Sequence, residues 1–369
     1  MSVALRQSME SSFAHAASVT ASDDEVPTTR RFGRFDPDFL AFTARLVEDL
    51  ASMQSLVDAR TARVAASPAD VAERMYPHFE RWLEPRLAEL GDLAESMSSE
   101  ERETHGAYLR MRLSPFTEQS AFLKRTNDRP RGYAGDSELM RMIYDADFRG
   151  DSVFGRLLHH HPLQSAAAQA VRHRIGLVAD VVRERKAQRG GHLRVLSLAC
   201  GPARELRHLV GSREDAEGLE LVFADQDEDA LTEARAEIAH VEEDIGTALR
   251  AGTRRVSVRD ILRSARATAA SLGTFDVIYT LGLFDYLTKP VAKRLVVELS
   301  SLLRRGGMLI VGNYHVECQT RAYLDLWMNW PLLYRTEDEL LALVEDIDDV
   351  EARVERDPTG SQMFLFATR

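Results

Sequence analysis

The chain has 369 residues, 44% of them hydrophobic and 28% charged, with a formal net charge of -11 at pH 7. A chain of this length suggests about two domains, or one large domain with an extension, and its composition is that of a globular protein with a sizeable core. The acidic balance argues against a nucleic-acid backbone as partner, because that needs a basic surface. The two cysteines, Cys200 and Cys318, are too few for a disulfide framework and have no metal-ligand spacing. A reducing, cytoplasmic setting is therefore expected. The first 30 residues lack the apolar stretch of a signal peptide, and no run approaches the ~18 apolar residues of a membrane span.

Residues 1–34 are rich in Ser, Ala and Thr and read as a mobile tail. A helical region follows. Asp36-Pro37 is an N-cap with a first-turn proline, ahead of an apolar stripe at Leu40, Phe42, Leu46, Leu50, Met53 and Val57. Ser67-Pro68 starts a second helix that Gly91 should stop, and Ser98 with Glu101 is a capping box for a third. The segment Lys124–Asp136 carries Asn127, Asp128, Pro130, Gly132 and Gly135 and reads as a loop. Its basic residues, Lys124, Arg125, Arg129 and Arg131, stand near Tyr133. They form either a solvated linker or a lid that brings guanidinium groups to an anion. Helices resume at about 137–144 and 163–188. His159, His160 and His161 fall between them and read as a helix-end feature, since three adjacent histidines cannot all face one metal from a helix.

From Gly191 strands and helices alternate. Strands are expected at Leu193–Leu198, Leu219–Ala224, about Arg254–Val258, Phe275–Thr280 and Met308–Gly312, with helices between them, among which 203–210, 228–239 and 290–304 are readable. A closing hairpin, Val350–Glu355 and Gln362–Ala367, can pair only antiparallel. The expected fold class is α/β: a Rossmann-like, seven-stranded, mostly parallel sheet behind an all-helical cap. The expected domains are a tail at 1–34, a helical cap and substrate domain at 35–188, and a ligand-binding domain at 189–369.

Ligands of such sheets bind at the carboxyl ends of strands. After the first strand comes Ala199-Cys200-Gly201-Pro202, where Gly201 permits positive φ and close approach of a ligand. The second strand leads to Asp225 and the third to Asp260. The fourth leads to Leu281-Gly282-Leu283-Phe284-Asp285-Tyr286, and the fifth to Asn313, Tyr314 and His315. A glycine turn followed by an acid at the next strand end is a ribose-binding arrangement. A single such acid is often only a helix N-cap, but Asp225 and Asp260 at successive strand ends point to a nucleoside. Asp260 could accept from an adenine amino group, with the Ile261 N–H donating to a ring nitrogen.

These residues, with Asp225-Gln226-Asp227, Phe275–Tyr279 and Leu302–Leu309 including Gly306-Gly307, make the domain from Gly191 to Arg369 similar to a class I S-adenosylmethionine-dependent methyltransferase. A hydride-transferring Rossmann enzyme would want a fuller glycine signature. A narrower resemblance rests on Arg129–Asp136, Gly150–Gly155, Gly282–Leu287 and Trp330–Thr336. Together they resemble the bacterial group of 3-hydroxypalmitate methyl ester synthases, which is also similar to enzymes that cyclise S-adenosylmethionine to azetidine-2-carboxylate.

The resemblance implies S-adenosylmethionine as cofactor, held by Ala199, Gly201, Asp225, Gln226, Asp260, Ile261 and Thr280, with no metal. It implies methyl transfer to a small carboxylic or hydroxy acid in secondary metabolism or signalling. The alternative is cyclisation of the cofactor with release of methylthioadenosine. A carboxylate nucleophile needs positioning, which Arg129, Arg131 and Tyr133 could supply. A hydroxyl or amine would need a base, His315 or Asp285. Phe284, Tyr286, Tyr314 and Trp330 could face the sulfonium or lie in the core. A small-molecule substrate, no nucleic acid and no membrane span are expected, and a homodimer is left open.

Overall fold

The computed structural model describes residues 35–62 and 66–369; the expected tail at 1–34 lies outside them. The chain opens with seven helices: α1 Pro37–Thr61, α2 Pro68–Glu95, α3 Ser99–Thr117, α4 Ala121–Asp128, α5 Ser137–Asp145, α6 Val153–Gln164 and α7 Ala166–Gln188. The expected caps are in place. Asp36 Oδ1 accepts from the N–H groups of Asp38 and Phe39, and Ser98 and Glu101 make the reciprocal capping box. Gly91 does not end α2. Leu90 and Ala94 are buried on either side of it, and that burial outweighs the ~1 kcal/mol helix cost of a glycine.

Two further expectations fail in the cap. Lys124–Asp128 belongs to α4, capped by Ser120 and ended by Arg129 at φ +45°, so the loop is only 129–136. The three histidines lie inside α6 and all are buried. The His159 Nδ1 accepts from the Phe122 N–H at 3.2 Å, and His160 stacks on Phe148 with ring centroids 3.7 Å apart. They are packing residues of the helical core. Burial lowers the His159 pKa to about 4, below the unfolded value of ~6.5. The neutral ring is thus the folded form, and its contribution is full above pH ~6.5 and lost as pH falls towards 4. The stability difference between the parent chain and His159→Gln should shrink by about 3 kcal/mol between pH 7 and pH 4 in urea titrations.

The second half is a seven-stranded sheet in the order β3-β2-β1-β4-β5-β7-β6. Its elements are β1 Leu193–Leu198, the short turns of helix α8 Leu206–Leu209 and α9 Arg213–Ala216, β2 Leu219–Asp225, α10 Glu228–Ile245, β3 Arg250–Arg255, α11 Val258–Arg263, α12 Ala265–Leu272, β4 Phe275–Thr280, α13 Lys289–Ser301, β5 Leu303–Tyr314, α14 Glu337–Leu341, β6 Glu351–Arg356 and β7 Gln362–Thr368. Only β7 is antiparallel to its neighbours, lying between β5 and β6. This is the Rossmann-like architecture expected.

Three segments differ. β5 runs from Leu303 to Tyr314 because β7 pairs with it as far as Tyr314↔Gln362. β3 begins at Arg250, and its polar residues gave no apolar pattern, while Val258 belongs to the core beneath α11. The expected helix 203–210 shrinks to Leu206–Leu209, because the turn before it is longer than one glycine would suggest. The helical cap is also not contiguous in sequence. Its core takes in Tyr314, Cys318, Tyr323, Leu326, Trp327 and Trp330 from beyond β5, so the chain crosses back into the cap before α14.

Candidate active site

The strand order reverses between β1 and β4, the point at whose carboxyl edge sheets of this kind bind their ligands. β1 ends in a turn where Ala199, Gly201 and Ala203 have φ of +54°, +54° and +53°. An L residue in this region costs ~1–2 kcal/mol, so two alanines held there show that surrounding contacts impose the turn. Asp225 is one of those contacts. Its Oδ2 accepts from the Gly201 N–H at 3.0 Å and its Oδ1 from the Asp227 N–H at 3.0 Å. The carboxylate is 8% exposed. Burial raises its pKa, and the backbone N–H groups only partly offset that. Each oxygen keeps a lone pair, so Asp225 can accept both hydroxyls of a ribose while it holds the turn.

Beside it, Gln226, Arg255, Ser257 and Asp260 line an open cleft of about 470 Å³. The candidate residues after β2 and β3 are thus brought together. Asp260 is also the third residue of a capping box. Its Oδ2 accepts from the Ser257 hydroxyl at 2.6 Å and the Ser257 N–H at 3.1 Å, which holds its pKa below the usual carboxylate range. Oδ1 is then the oxygen through which it can meet an adenine amino group.

Ile261 does not fit its expected role. Its side chain is in the core under the sheet, and its N–H makes the first bond of α11, to Ser257 O at 3.3 Å. Thr280, at the end of β4, is fully buried and its hydroxyl has no hydrogen-bond partner. It is an unpaired buried polar atom at the carboxyl end of β4.

The loop 129–136 lies across this edge, held at both ends. The Arg131 guanidinium donates to Glu233 at 3.0 Å, to Asp227 at 3.3 Å and to the Ser137 hydroxyl, and Asp229 is 3.5 Å away. The Tyr133 hydroxyl donates to Asp227 Oδ2 at 2.8 Å. At the other end Tyr286 donates to Ala134 O at 3.2 Å and accepts from the Trp330 indole at 2.7 Å. Gly135 has φ +75°, and a Cβ there would come within 2.7 Å of Trp330 and 2.8 Å of the Tyr286 hydroxyl. Gly135→Ala should therefore lower stability by about 1–3 kcal/mol, measured by urea denaturation.

The expected anion-seeking lid is not what this geometry shows. Lys124 pairs with Asp128, Arg125 with Asp136, Arg129 bonds Asn329 O, and Arg131 and Tyr133 are engaged by the acids of α10 and its N-cap. Arg131 and Tyr133 act as a latch two residues beyond Asp225. They are not free to orient a carboxylate substrate in this conformation.

Residues 196–309 match the family model described as a methyltransferase domain. That segment of the chain is thus a methyltransferase domain. The structure resembles that of a possible exported protein of Bordetella parapertussis. The identity is 16%, the match covers 75% of this chain and 98% of that one, and the TM-score is 0.50; this shows a shared fold. It is also similar to a magnesium protoporphyrin IX methyltransferase of Synechocystis with bound S-adenosylhomocysteine (17% identity, 55% and 86% of the two chains, TM-score 0.40). An O-methyltransferase of Bacillus cereus in complex with S-adenosylhomocysteine matches at 15% identity over 53% and 80% of the two chains, TM-score 0.36. No curated protein matches the chain.

Beyond the matched residues, His315 is displaced from the role expected of it. It is 2% exposed on the face of the sheet that carries α14. Its Nδ1 accepts from the Glu317 N–H at 3.2 Å, and its Nε2 is 3.1 Å from Glu337 and 3.0 Å from Arg356. Both ring nitrogens are engaged in tying β5 to α14 and β6, so the ring has no free nitrogen to act as a base. His315→Gln should cost about 1–3 kcal/mol of stability in urea titrations and leave S-adenosylhomocysteine affinity unchanged by calorimetry.

Asp285, the other candidate base, is buried. It accepts from the Tyr314 N–H at 2.7 Å, and burial pushes its pKa up to about 7. Phe284 is core, and Tyr314 donates to Ala167 O. Tyr286 and Trp330 are the two aromatic candidates that border the loop. Cys200 packs in the core on the α7 face, where burial pushes its thiol pKa well up.

Two buried charges here escaped the sequence reading. Glu205 accepts from the Ser197 and Tyr279 hydroxyls, both at 3.0 Å, tying the segment after the glycine turn to β1 and β4. Burial raises its pKa. Arg174 comes from α7. Its signal was a charge on the buried stripe Ala167, Ala170, Val171, Ile175 and Val178 of that helix. Among the described residues no group of His, Cys, Asp and Glu could hold a metal ion, and no helix is long and apolar enough to cross a membrane.

Proposed function

We propose that the chain transfers a methyl group from S-adenosylmethionine to a small acid in a pocket closed by the cap, and that it does so in the cytoplasm. The observation that carries this reading is the loop 129–136, latched to Asp227 on one side and seated on Tyr286 and Trp330 on the other. It leaves the adenosine cleft open at Gln226 and Asp260 but covers the edge between Asp225 and the segment after β4. A covered reaction centre suits a small molecule better than a polymer and excludes water from the reacting carbon. Two buried, free cysteines fit a reducing compartment.

The residues present fit the cofactor. Asp225 would hold the ribose, Asp260 the adenine amino group, and the Ala199–Ala203 turn would let the backbone approach. Thr280 offers an unpaired hydroxyl. Bound there, the sulfonium supplies an electrophilic methyl. The chain's part is to align an acceptor about 3 Å from it and keep water out. A carboxylate acceptor is ionised at neutral pH and needs no base, which agrees with the engagement of both His315 nitrogens.

The test is incubation of the purified protein with S-adenosylmethionine, alone and with a panel of small carboxylic and hydroxy acids, followed by mass spectrometry of the nucleoside released. S-adenosylhomocysteine formed only when an acid is present is the expected result. Methylthioadenosine formed without any acceptor would overturn methyl transfer in favour of cofactor cyclisation.

A further inference from the structure

Arg174 projects from α7 to the carboxyl end of β4 and is 7% exposed. Its Nη1 donates to Leu281 O at 3.0 Å, its Nη2 meets the Met140 sulfur at 3.6 Å, and the Tyr144 hydroxyl is a neutral hydrogen-bond partner beside it. Its Nε has no partner. The guanidinium lies against Gly282, where a Cβ would be 3.4 Å from Nη1. Among the described residues no carboxylate pairs with it. The acids whose fields reach it, Asp285 and Glu205, form no ion pair with it, and Tyr144 and Tyr314 beside it are neutral phenols at pH 7. Gln362 donates to the same Leu281 carbonyl at 2.9 Å and keeps its own Oε1 unpaired.

An arginine in such a place is costly to the fold. A buried charge without a counter-charge destabilises strongly, whereas Arg with an incoming carboxylate forms two parallel, charge-assisted bonds. Three neighbouring arginines have their partners: Arg131 has Asp227 and Glu233, Arg204 has Asp145 and Glu237, and Arg335 has three oxygen acceptors, while Arg129 bonds Asn329 O and keeps its Nε unpaired. Arg174 is the one of these five that is bonded to Leu281, the residue directly after β4, while donors remain unfilled.

We infer that Arg174 is the carboxylate-recognition residue of the active site, binding the carboxylate of a small acid at the carboxyl end of β4. The inference rests on the methyl-transfer reading and refines it, because it names the chemical group recognised and its partner. Two molecules at the site can carry that group, the acceptor acid and the methionyl end of the cofactor.

The experiment compares the full chain with Arg174→Met, which keeps bulk without charge, and Arg174→Lys, which keeps charge without the fork. Calorimetry is run with S-adenosylhomocysteine and with its decarboxylated analogue, and turnover is measured on the panel of acids. Arg174→Met should melt no lower than the parent chain, since it removes an unpaired buried charge. If the cofactor's carboxylate is the ligand, Arg174→Met binds S-adenosylhomocysteine about 10- to 100-fold more weakly and the decarboxylated analogue equally well. If the acceptor's carboxylate is the ligand, cofactor affinity is unchanged and the acid's KM rises by a similar factor, with partial rescue by Arg174→Lys.

The inference is overturned if Arg174→Met leaves cofactor affinity unchanged and weakens no acid. It is also overturned if the variant melts lower and loses both nucleosides alike, which would make the arginine structural. If the parent chain itself binds no S-adenosylhomocysteine, the failure belongs to the methyltransferase reading.

Discussion

Asp225→Ala is expected to bind S-adenosylhomocysteine about 100-fold more weakly than the parent chain, or not measurably, by calorimetry. Three losses coincide at this side chain. On the proposed reading, the two ribose hydroxyls would lose their shared acceptor. The Gly201 N–H loses the partner that holds the turn after β1 in its left-handed conformation, and the Asp227 N–H loses the bond that sets the start of α10. A buried N–H left without a partner costs about 1–3 kcal/mol, so a lower melting temperature should accompany the loss of binding. Asp225→Asn separates the effects, because its amide oxygen can still accept one backbone N–H while its NH2 faces the other. It should fall between parent and alanine variant. Unchanged affinity in Asp225→Ala would remove Asp225 from the ribose site.

The second large effect is expected at Arg131. Arg131→Ala removes the contacts to Ser137, Asp227, Asp229 and Glu233 together, and it leaves three acids near one another without their shared cation. The loop should then leave the carboxyl edge of the sheet more often. Dissociation of S-adenosylhomocysteine in stopped flow should quicken by about 10-fold, and turnover should fall with it. The global melting temperature should fall as well, because the ion pairs with Asp227 and Glu233 are largely buried and Arg131→Ala leaves their acids unpaired. Arg131→Lys keeps a charge but loses the fork, so it should recover part of the slow dissociation. Equal dissociation rates in parent and alanine variant would show that the loop is not a latch.

These two residues mark what could be read in advance. Asp225 was legible because a strand, a small-residue turn and an acid at the next strand end are local features at fixed positions. The helix starts at Asp36, Ser67 and Ser98 were legible for the same reason, since each cap satisfies backbone groups within three residues of itself. Arg131 was singled out, but its partners lie about a hundred positions away, and its chemistry came out as a latch instead of an anion clamp. His315 follows β5 as a candidate base should. Strand alternation then placed it towards α14 and the ion pairs of Glu337 and Arg356, while its neighbour Tyr314 turned towards the cap. Ile261 was placed beside the right acid, but the first turn of α11 had already engaged its N–H.

The sequence by itself determined the helical first half, the alternation of strands and helices after Gly191, the closing hairpin, and the order Gly201 after β1, Asp225 at the end of β2 and Asp260, which falls in the first turn of α11. Periodicity, capping and turn chemistry act over a few residues, so they are written locally. Only the tertiary structure decided that residues 314–330 return to the cap core. It alone showed that Gly135 is packed under Trp330 and Tyr286, and that Arg131 is paired with acids while Arg174, among the described residues, forms no ion pair. Whether a buried charge has a partner depends on groups brought together from distant parts of the chain. That pairing, and not residue type, separates a cation that holds the fold from one left able to hold a ligand.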